Sequence, residues 1–457
     1  MREPDITGLD ATEISNEAFK ELFPEQYASY ARTAEMDDDP DGNRSKFKRE
    51  PFLPILYYDF TFARQHDETR GHFYANEDLA KSLRVTDSTP GACITCKSSA
   101  VPVLYAEMGE DYWQANLLDE IIPAAEELGH AAVGCSDCHS PVTMDIRVTR
   151  PNLQKEMADK GIDPNKASRE NMNNYACGQC HSTYYFNVET TEVTHPWSHM
   201  NLPEQTEKLS GIFDPDQARP GDVALKLFVY FQTVGKERGF EQDFIHAVSG
   251  TPILKARHPE FEMSTEGAHA EAGVSCVDCH MPVEKGKSGD QITSHYLTSP
   301  LKDPEKSCGS CHTSNLDQKV KQTEKIQADY KQKLAKAQEI SVDTHYYVNK
   351  MITAGVDTEV IKDLQREITF AQWMWDFCAS ENSHGFHNPA GADRILDLSI
   401  QSSQEILKVA KEHLIAKDVS IEELDKEIAK VKKAVSEESD PAKKRDHVIN
   451  DYFPAQD

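Results

Sequence analysis

Basic residues are scarce in this 457-residue chain. Lys and Arg number 49 against 77 Asp and Glu, a formal net charge of −28. Such a surface repels polyanions, which excludes nucleic acid and anionic membrane as main partners. Long apolar runs are missing too: no segment is long and apolar enough to cross a bilayer. Apolar residues are sparse overall. They make 38% of the chain, or about 39% with Gly counted and Tyr left out, against ~45–50% in ordinary globular domains. The 18 Phe, 16 Tyr and 4 Trp argue against wholesale disorder. Something other than side chains must therefore help to fill the core. Strand signals are few, and Met1–Asp10 is polar and acidic without an apolar stretch.

Cysteine is what the chain does have. Ten of its 11 cysteines form five Cys-x-x-Cys pairs: Cys93/Cys96, Cys135/Cys138, Cys177/Cys180, Cys276/Cys279 and Cys308/Cys311. Only Cys378 is left over, and it reads as a buried helix thiol. The residue after each pair is Lys97 in the first case and His139, His181, His280 and His312 in the others. Cys-x-x-Cys-His is the covalent attachment signature of c-type haem. Two thiols that add across the two vinyl groups of one haem must lie on one side of the chain, as residues three apart on a helical turn do. The next residue then projects under the ring and ligates the iron. Zinc would not place His after the second Cys four times. A disulfide scaffold belongs to short secreted chains. Five macrocycles would also supply the apolar bulk that the composition lacks.

Covalent haem of this kind is made outside the cytoplasm, so a periplasmic location is expected, with a secretory leader already removed. The expected architecture is mainly α, one pentahaem domain over residues 1–457. Residues 60–312 would form the haem-binding core, as short helices and loops punctuated by Pro141, Pro164 and Pro220. Residues 313–457 would form long helices, predicted at Thr313–Ala337, Asp357–Phe377, Arg394–Ala416 and Ile421–Ser436; Ile395, Leu398, Ile406 and Val409 recur at helical spacing. Met1–Asp59 reads as an irregular lead segment with an acidic loop at Asp37–Gly42.

Lys97 sets the first motif apart. A haem with His on both faces is closed and suits electron transfer, whereas one that binds substrate needs an open face. Lysine ligates a metal only when deprotonated, against an ordinary pKa of ~10.4. So costly a ligand marks a haem with a different task.

One Cys-x-x-Cys-Lys motif followed by four Cys-x-x-Cys-His motifs, in that order, resembles the pentahaem cytochrome c nitrite reductases that form ammonia. Other stretches agree: Tyr184-Tyr185-Phe186 after the third motif, Lys255-Ala256-Arg257-His258-Pro259-Glu260 ahead of Gly267-Ala268-His269, and Trp375-Asp376-Phe377 leading to His384-Gly385-Phe386-His387-Asn388-Pro389. The resemblance runs from about Arg70 to the C-terminal helices.

It implies five haem c groups and six-electron reduction of nitrite to ammonium in a homodimer joined through its long helices. It also implies an electron donor, either a quinol-oxidising membrane cytochrome or a small multihaem cytochrome. By the same resemblance His72 is the distal ligand of the Cys177/Cys180 haem and His295 of the Cys135/Cys138 haem. His387 serves the Cys276/Cys279 haem, with His384 as its competitor, and His269 the Cys308/Cys311 haem. Around the Lys97 haem, Arg84 corresponds to the substrate-holding arginine, with Arg70 as alternative. His258 corresponds to the proton-relaying histidine and Tyr184 to the pocket tyrosine, with Tyr185 beside it as decoy. The remaining histidines, His66, His130, His195, His199, His246, His345, His413 and His447, read as ordinary residues. Two other functions stay open: a non-catalytic multihaem electron carrier, and a related oxidoreductase acting on hydroxylamine or sulfite.

The sequence departs from the family at calcium. Many relatives hold calcium through a Glu before the pocket tyrosine and a Gln in Lys-x-Gln-His. Here those positions are Thr183 and Arg257. Calcium wants six to eight oxygen ligands, and a guanidinium has donors only. Calcium is therefore not expected at the usual site. Arg257 would stand in its place, bonded to the carbonyls of Tyr184 and Lys255.

Overall fold

The computed structural model describes residues 5–37, 44–68, 70–129, 132–197, 219–240 and 242–438. The fold is mainly α. Strands among the described residues are limited to three two-stranded antiparallel hairpins, with Tyr185–Phe186, Phe244–His246 and Val283–Lys285 as their first strands. Two compact units emerge. The first comprises Met1–Asn43, Thr69–Asn201 and Glu260–Lys325, and the second Arg44–Glu68, Leu202–Pro259 and Ile326–Asp457. All five Cys-x-x-Cys motifs lie in the first. No helix among the described residues is long and apolar enough to cross a membrane.

The first unit is built from helices of 4–10 residues and turns. One apolar cluster, with Ile94, Leu104, Tyr112, Trp113, Leu117 and Ile121 buried, packs behind the first motif. Gly91 opens that motif where a Cβ would stand 2.6 Å from the Tyr112 carbonyl oxygen, so only glycine lets the two backbones meet. The lead segment is not irregular as expected. It carries helices Asn16–Leu22 and Pro24–Ala31, anchored by buried Phe19 and Tyr30. Helices of seven and eight residues give too few turns for a periodic apolar stripe to be visible in sequence. Beyond residue 37, the acidic loop expected at Asp37–Gly42 lies outside the described residues.

Long helices dominate the second unit. Helix Thr358–Ala379 buries Trp373, Trp375 and Phe377 and packs against helix Pro389–Ile415, where Ser399 Oγ donates to the Ala371 carbonyl at 2.7 Å. The latter helix begins five residues earlier than expected. Pro389 occupies its first turn, where a missing N–H costs nothing, and the Asn388 side chain accepts from Gly391 N at 2.9 Å. The first long helix is Leu316–Thr353, extending well past the predicted end at Ala337. The fourth, Ile421–Glu437, agrees with its prediction to one residue. Hairpin Phe244–His246/Thr251–Ile253 leads directly into the segment Lys255–His258. Thr369 Oγ1 pins it by donating to the Pro252 carbonyl at 2.7 Å.

Candidate functional site

The five motifs sit on helical turns. His139, His181 and His312 each donate their backbone N–H to the carbonyl of the first Cys of their motif, at 3.0, 3.0 and 2.8 Å. The fourth motif forms the helical turn Cys276–His280. Lys97 differs: its N–H reaches only back to Ile94, at 2.7 Å, so the first motif closes a tighter turn. Among the described residues no two cysteines are bridged. Cys378 is buried in its helix, as expected.

Cys311 stands apart from the other motif cysteines. It is exposed, whereas the other nine motif cysteines are half-buried. The reason is local: the fifth motif lies on a run of turns whose Glu305, Lys306 and Ser310 are also exposed, so short polar and charged neighbours give the sulfur little cover. Ser310 Oγ lies 3.8 Å from the Cys311 sulfur. Exposure does not conflict with attachment, because a thiol must be reachable to react. It places this edge of the fifth motif at the surface of the first unit.

Two motifs are capped in the same way. In the second, Asp137 accepts from Gly134 N at 2.6 Å, and Asn16 accepts from Cys135 N at 2.9 Å. In the fourth, Asp278 accepts from Ser275 N at 2.7 Å, and Asn174 accepts from Cys276 N at 3.0 Å. Each satisfies N–H groups that a turn this short leaves open. Gly134 is required here because a Cβ would fall 2.3 Å from Asn16 Oδ1.

Three of the predicted axial pairs lie within the first unit, and in each the two imidazole rings are neighbours. Ring centroids are 6.4 Å apart for His72 and His181, 6.2 Å for His139 and His295, and 6.5 Å for His269 and His312. With metal–nitrogen distances of about 2 Å, two imidazoles on opposite faces of one ion have centroids about 6 Å apart. Backbone carbonyls accept from the outer ring nitrogens: His139 Nδ1 is 2.8 Å from Met144 O, His280 Nδ1 is 3.0 Å from Thr298 O and His295 Nδ1 is 2.9 Å from Thr293 O. A carbonyl can only accept, so Nδ1 carries the proton and Nε2 is left for a metal. Burial lowers His72 and His295 to about 4, so both are neutral, the ligating form. A cavity of about 340 Å³ beside Cys279 and His280 has Arg32, Lys302 and Lys306 on its wall. Such cations suit the propionates of a haem. The donor set therefore fits haem iron.

Three residues absent from the sequence reading tie motifs together. Arg150 is fully buried and pairs with Asp137, which is 2% exposed. Its guanidinium also donates to the Ser98 carbonyl at 3.0 Å and to Thr149 Oγ1 at 3.0 Å. Gln179 donates to the Asp137 carbonyl at 3.0 Å and accepts from Thr149 N at 2.8 Å. Asp137 and Gln179 are the second variable residues of motifs two and three, and Ser98 follows Lys97. One network thus links the first three motifs. The signal available in sequence was only that these variable residues are polar.

The expected pocket residues fall in both units. Lys97 is half-buried, and its side-chain amine has no hydrogen-bond or acidic partner among the described residues. Arg84 is half-buried, with Nε 3.2 Å from Ser82 Oγ. Arg70 is committed elsewhere: it lies 2.6 Å from Asp78 and 3.2 Å from Glu77, with its guanidinium 3.8 Å from the Tyr74 ring centroid. Tyr184 is half-buried and meets Phe186 edge-on at 5.6 Å, while Tyr185 is buried in its strand. Next to Tyr184, the Thr183 N–H donates at 2.8 Å to Glu262, a fully enclosed carboxyl that burial raises to about 8.

In the second unit His258 holds a φ of +48°, a region few non-glycine residues adopt. Such a residue costs about 1–3 kcal/mol and persists only where its surroundings fix it. Here they do. Lys255 Nζ, fully buried, lies 2.8 Å from Asp376 and donates to Ser380 Oγ at 2.7 Å, and Tyr57 donates to the same carboxylate. Lys255 N donates to Asp243 at 2.6 Å. Arg257 pairs with Asp243 and donates to the Lys255 carbonyl at 3.0 Å. Asp243 gives the Arg257 pair no net charge.

His387 Nδ1 lies 2.6 Å from Glu381. His384 lines a separate cavity with Lys46, Arg49 and Tyr330, and burial, then Arg49, Lys331 and Lys46, lower it to about 4. His246 and His345, expected to be ordinary, stack at 3.7 Å, and Ser249 and Gln372 each lie 2.8 Å from His345. His130, His199 and His447 lie outside the described residues.

A family model described as cytochrome c552 matches residues 15–456. The chain is 33% identical to the cytochrome c nitrite reductase subunit NrfA of Nitratidesulfovibrio vulgaris, over 98% of this chain and 88% of that protein. It is 31% identical to cytochrome c-552 of Bacteroides thetaiotaomicron, over 92% of this chain and 82% of the other. Among solved structures, the catalytic subunit NrfA of the Desulfovibrio desulfuricans cytochrome c nitrite reductase, described with two calcium sites, superposes with a TM-score of 0.77 at 28% identity, covering 92% of this chain and 91% of that one. Likeness over nearly the whole length, joined to five haem motifs in order, gives the identification: the chain belongs to the cytochrome c552 family.

Proposed function

We propose that this chain reduces nitrite to ammonium at the haem attached to Cys93 and Cys96. The balance is one nitrite, six electrons and eight protons to one ammonium and two waters. The carrying observation is the contrast between Lys97 and the other motif ligands. Lys97 alone replaces His and closes a tighter turn, while three of the four His motifs have a second imidazole 6.2–6.5 Å away. Haem iron, when bound, supplies the electrons and the coordination site for nitrite nitrogen.

The chain's own residues do the rest. Lys97 would hold the iron in place of the His of the other motifs. Arg84 holds the nitrite oxygens, which a guanidinium matches bidentately. Arg70 is the weaker alternative, because Asp78 and Glu77 already occupy its fork. Tyr184 donates a hydrogen bond, and His258, its backbone fixed by the Lys255–Asp376 and Arg257–Asp243 pairs, passes protons. His139, His181, His280 and His312, with His295, His72, His387 and His269, would hold four further haems that would supply electron transfer.

In this reading calcium is absent from the usual site. The Arg257 bond to the Lys255 carbonyl supports the guanidinium as its replacement. Five haem c groups, a periplasmic location, a cytochrome donor and a homodimer joined through residues 313–457 complete the proposal, with residues 60–312 as the haem core.

The spectrum of the oxidised protein separates this reading from a pure electron carrier. One high-spin haem that shifts on adding nitrite is expected. Five low-spin haems, indifferent to nitrite, would leave the carrier. Turnover of hydroxylamine or sulfite without nitrite turnover would favour the related oxidoreductases.

A further inference from the structure

His195, an ordinary histidine by sequence, is fully enclosed in the first unit. Its Nδ1 lies 3.0 Å from the Thr183 carbonyl and 3.0 Å from Ser182 Oγ. A carbonyl only accepts, and the Ser182 hydroxyl gives its proton to the Gly178 carbonyl at 2.6 Å. Nδ1 therefore carries the imidazole proton and shares it between the two oxygens. Burial lowers the ring to about 4, so it is neutral, and Nε2 is enclosed with no donor among the described residues. All the hydrogen bonding of this imidazole is thus directed at the two residues ahead of Tyr184.

Thr183 is held from its other side as well. Its N–H donates at 2.8 Å to Oε1 of Glu262, which is itself enclosed. Glu262 stands in helix Glu260–Thr265, where Phe261 N donates to the His181 carbonyl at 2.9 Å and docks the helix on the same segment. The N–H and C=O of Thr183 are therefore both bonded to enclosed side chains from elsewhere in the chain. Its carbonyl shares one planar peptide with Tyr184 N, so holding that oxygen fixes the plane from which Tyr184 departs. The hairpin does not do this alone. Its ladder has two pairs and ends at Tyr185 and Thr194, so Tyr184 and His195 are the next residues beyond it. Their rings meet edge to face at 6.5 Å, and Trp197 lies 6.1 Å from the same imidazole.

We propose that His195 is a positioning residue: together with Glu262 it clamps Thr183, and so aims the Tyr184 hydroxyl into the nitrite pocket. This rests on Tyr184 being the pocket tyrosine of the function proposed above.

The test measures kcat and KM for nitrite with a reduced viologen and the purified five-haem protein. Haem content is checked in each variant. His195→Phe keeps a ring and removes the donor. Its kcat should fall roughly tenfold or more, since small misplacements at a site cost up to ~100-fold. KM should change little, because Arg84 holds the anion. His195→Asn places an amide N–H where Nδ1 stands and should return most of the lost kcat. In a Tyr184→Phe background His195→Phe should cost nothing further, because the group it positions is gone. Full kcat in His195→Phe, no recovery in His195→Asn, or an equal loss with and without the Tyr184 hydroxyl would each overturn the proposal. If His195→Phe does not accumulate with five haems, Glu262→Met and Glu262→Gln put the same question from the other side of Thr183. Met removes the acceptor and should lose kcat, whereas Gln keeps an acceptor and should retain more; equal values would overturn the clamp. Tyr184→Phe separates the two layers. If it slows turnover while His195→Phe does not, the role of His195 fails alone. If Tyr184→Phe leaves turnover unchanged, the pocket assignment fails and takes the inference with it.

Discussion

The Arg150 guanidinium and the Asp137 carboxylate form an ion pair closed off from solvent on both sides. Breaking a buried pair by removing one partner typically costs about 3–5 kcal/mol, because the other charge is left stranded. Asp137 belongs to the second haem motif, and Arg150 holds the Ser98 carbonyl next to the first. Arg150→Met should therefore lower the melting temperature of the holoprotein substantially. Arg150→Met with Asp137→Asn should recover part of the loss. An unchanged melting temperature in the single variant would show that the pair does not bind the motifs together.

Lys97→His should leave five haems attached and convert the high-spin signal to low spin. Turnover should fall roughly 100-fold or more, since even outer-sphere partners of metal ligands cost ~10–100-fold. Loss of haem with normal specific activity per remaining haem would confine Lys97 to cofactor attachment.

Arg84→Ala should raise KM about tenfold or more, the loss of one charged contact of about 1.5–3 kcal/mol. Arg70→Ala should instead destabilise the chain modestly, by taking its partner from Asp78 while Glu77 keeps Lys81, with little effect on KM. His258→Asn should change the shape of the pH profile of turnover. The reverse pattern between the two arginines would exchange their assignments.

Glu262 gives a pH signature. Burial raises its folded pKa from 4.5 to about 8, so between those values the folded state holds a proton that the unfolded chain has lost. The stability this contributes is complete below pH 4.5 and lost as pH rises through about 8. Thermal unfolding of Glu262→Gln, which cannot ionise, should show a stability gain over wild type that grows from pH 5 to pH 8. A constant difference would mean that Glu262 ionises normally.

Much of the site could be read before the fold was known, for a chemical reason. Covalent attachment of one haem demands two thiols three residues apart and a ligand next to them, so local sequence carries the whole constraint. Burial is not part of that constraint, which is why the exposure of Cys311 could not be told from its motif. The paired imidazoles are different. His72 stands 109 residues from His181, and His295 stands 156 from His139, so only the resemblance paired them. The contacts of Arg150, Asp137 and Gln179 were not visible at all. Their partners are backbone carbonyls and variable motif positions that no residue pattern marks. Helix Leu316–Thr353 was cut short in prediction because its second half is rich in β-branched and aromatic residues, such as Val342, Thr344, Tyr346, Tyr347 and Val348. Tertiary burial of Val342, Tyr347 and Val348 overrides that weak local preference.

Arg257→Gln should leave Asp243, nearly buried, without its cation. The variant should lose stability and activity, and added calcium should restore part of both, as a carboxylate and a Gln oxygen then face the space. Wild-type protein should contain no stoichiometric calcium at this site and should keep its activity after chelation. Bound calcium in the wild type, found by metal analysis, would contradict the replacement.

The most direct measurement is nitrite-dependent oxidation of a reduced viologen by the purified five-haem protein, with ammonium assayed in the same vessel. The account predicts six electrons consumed and one ammonium formed per nitrite. Oxidation without ammonium, or no nitrite consumption by fully loaded protein, would contradict it.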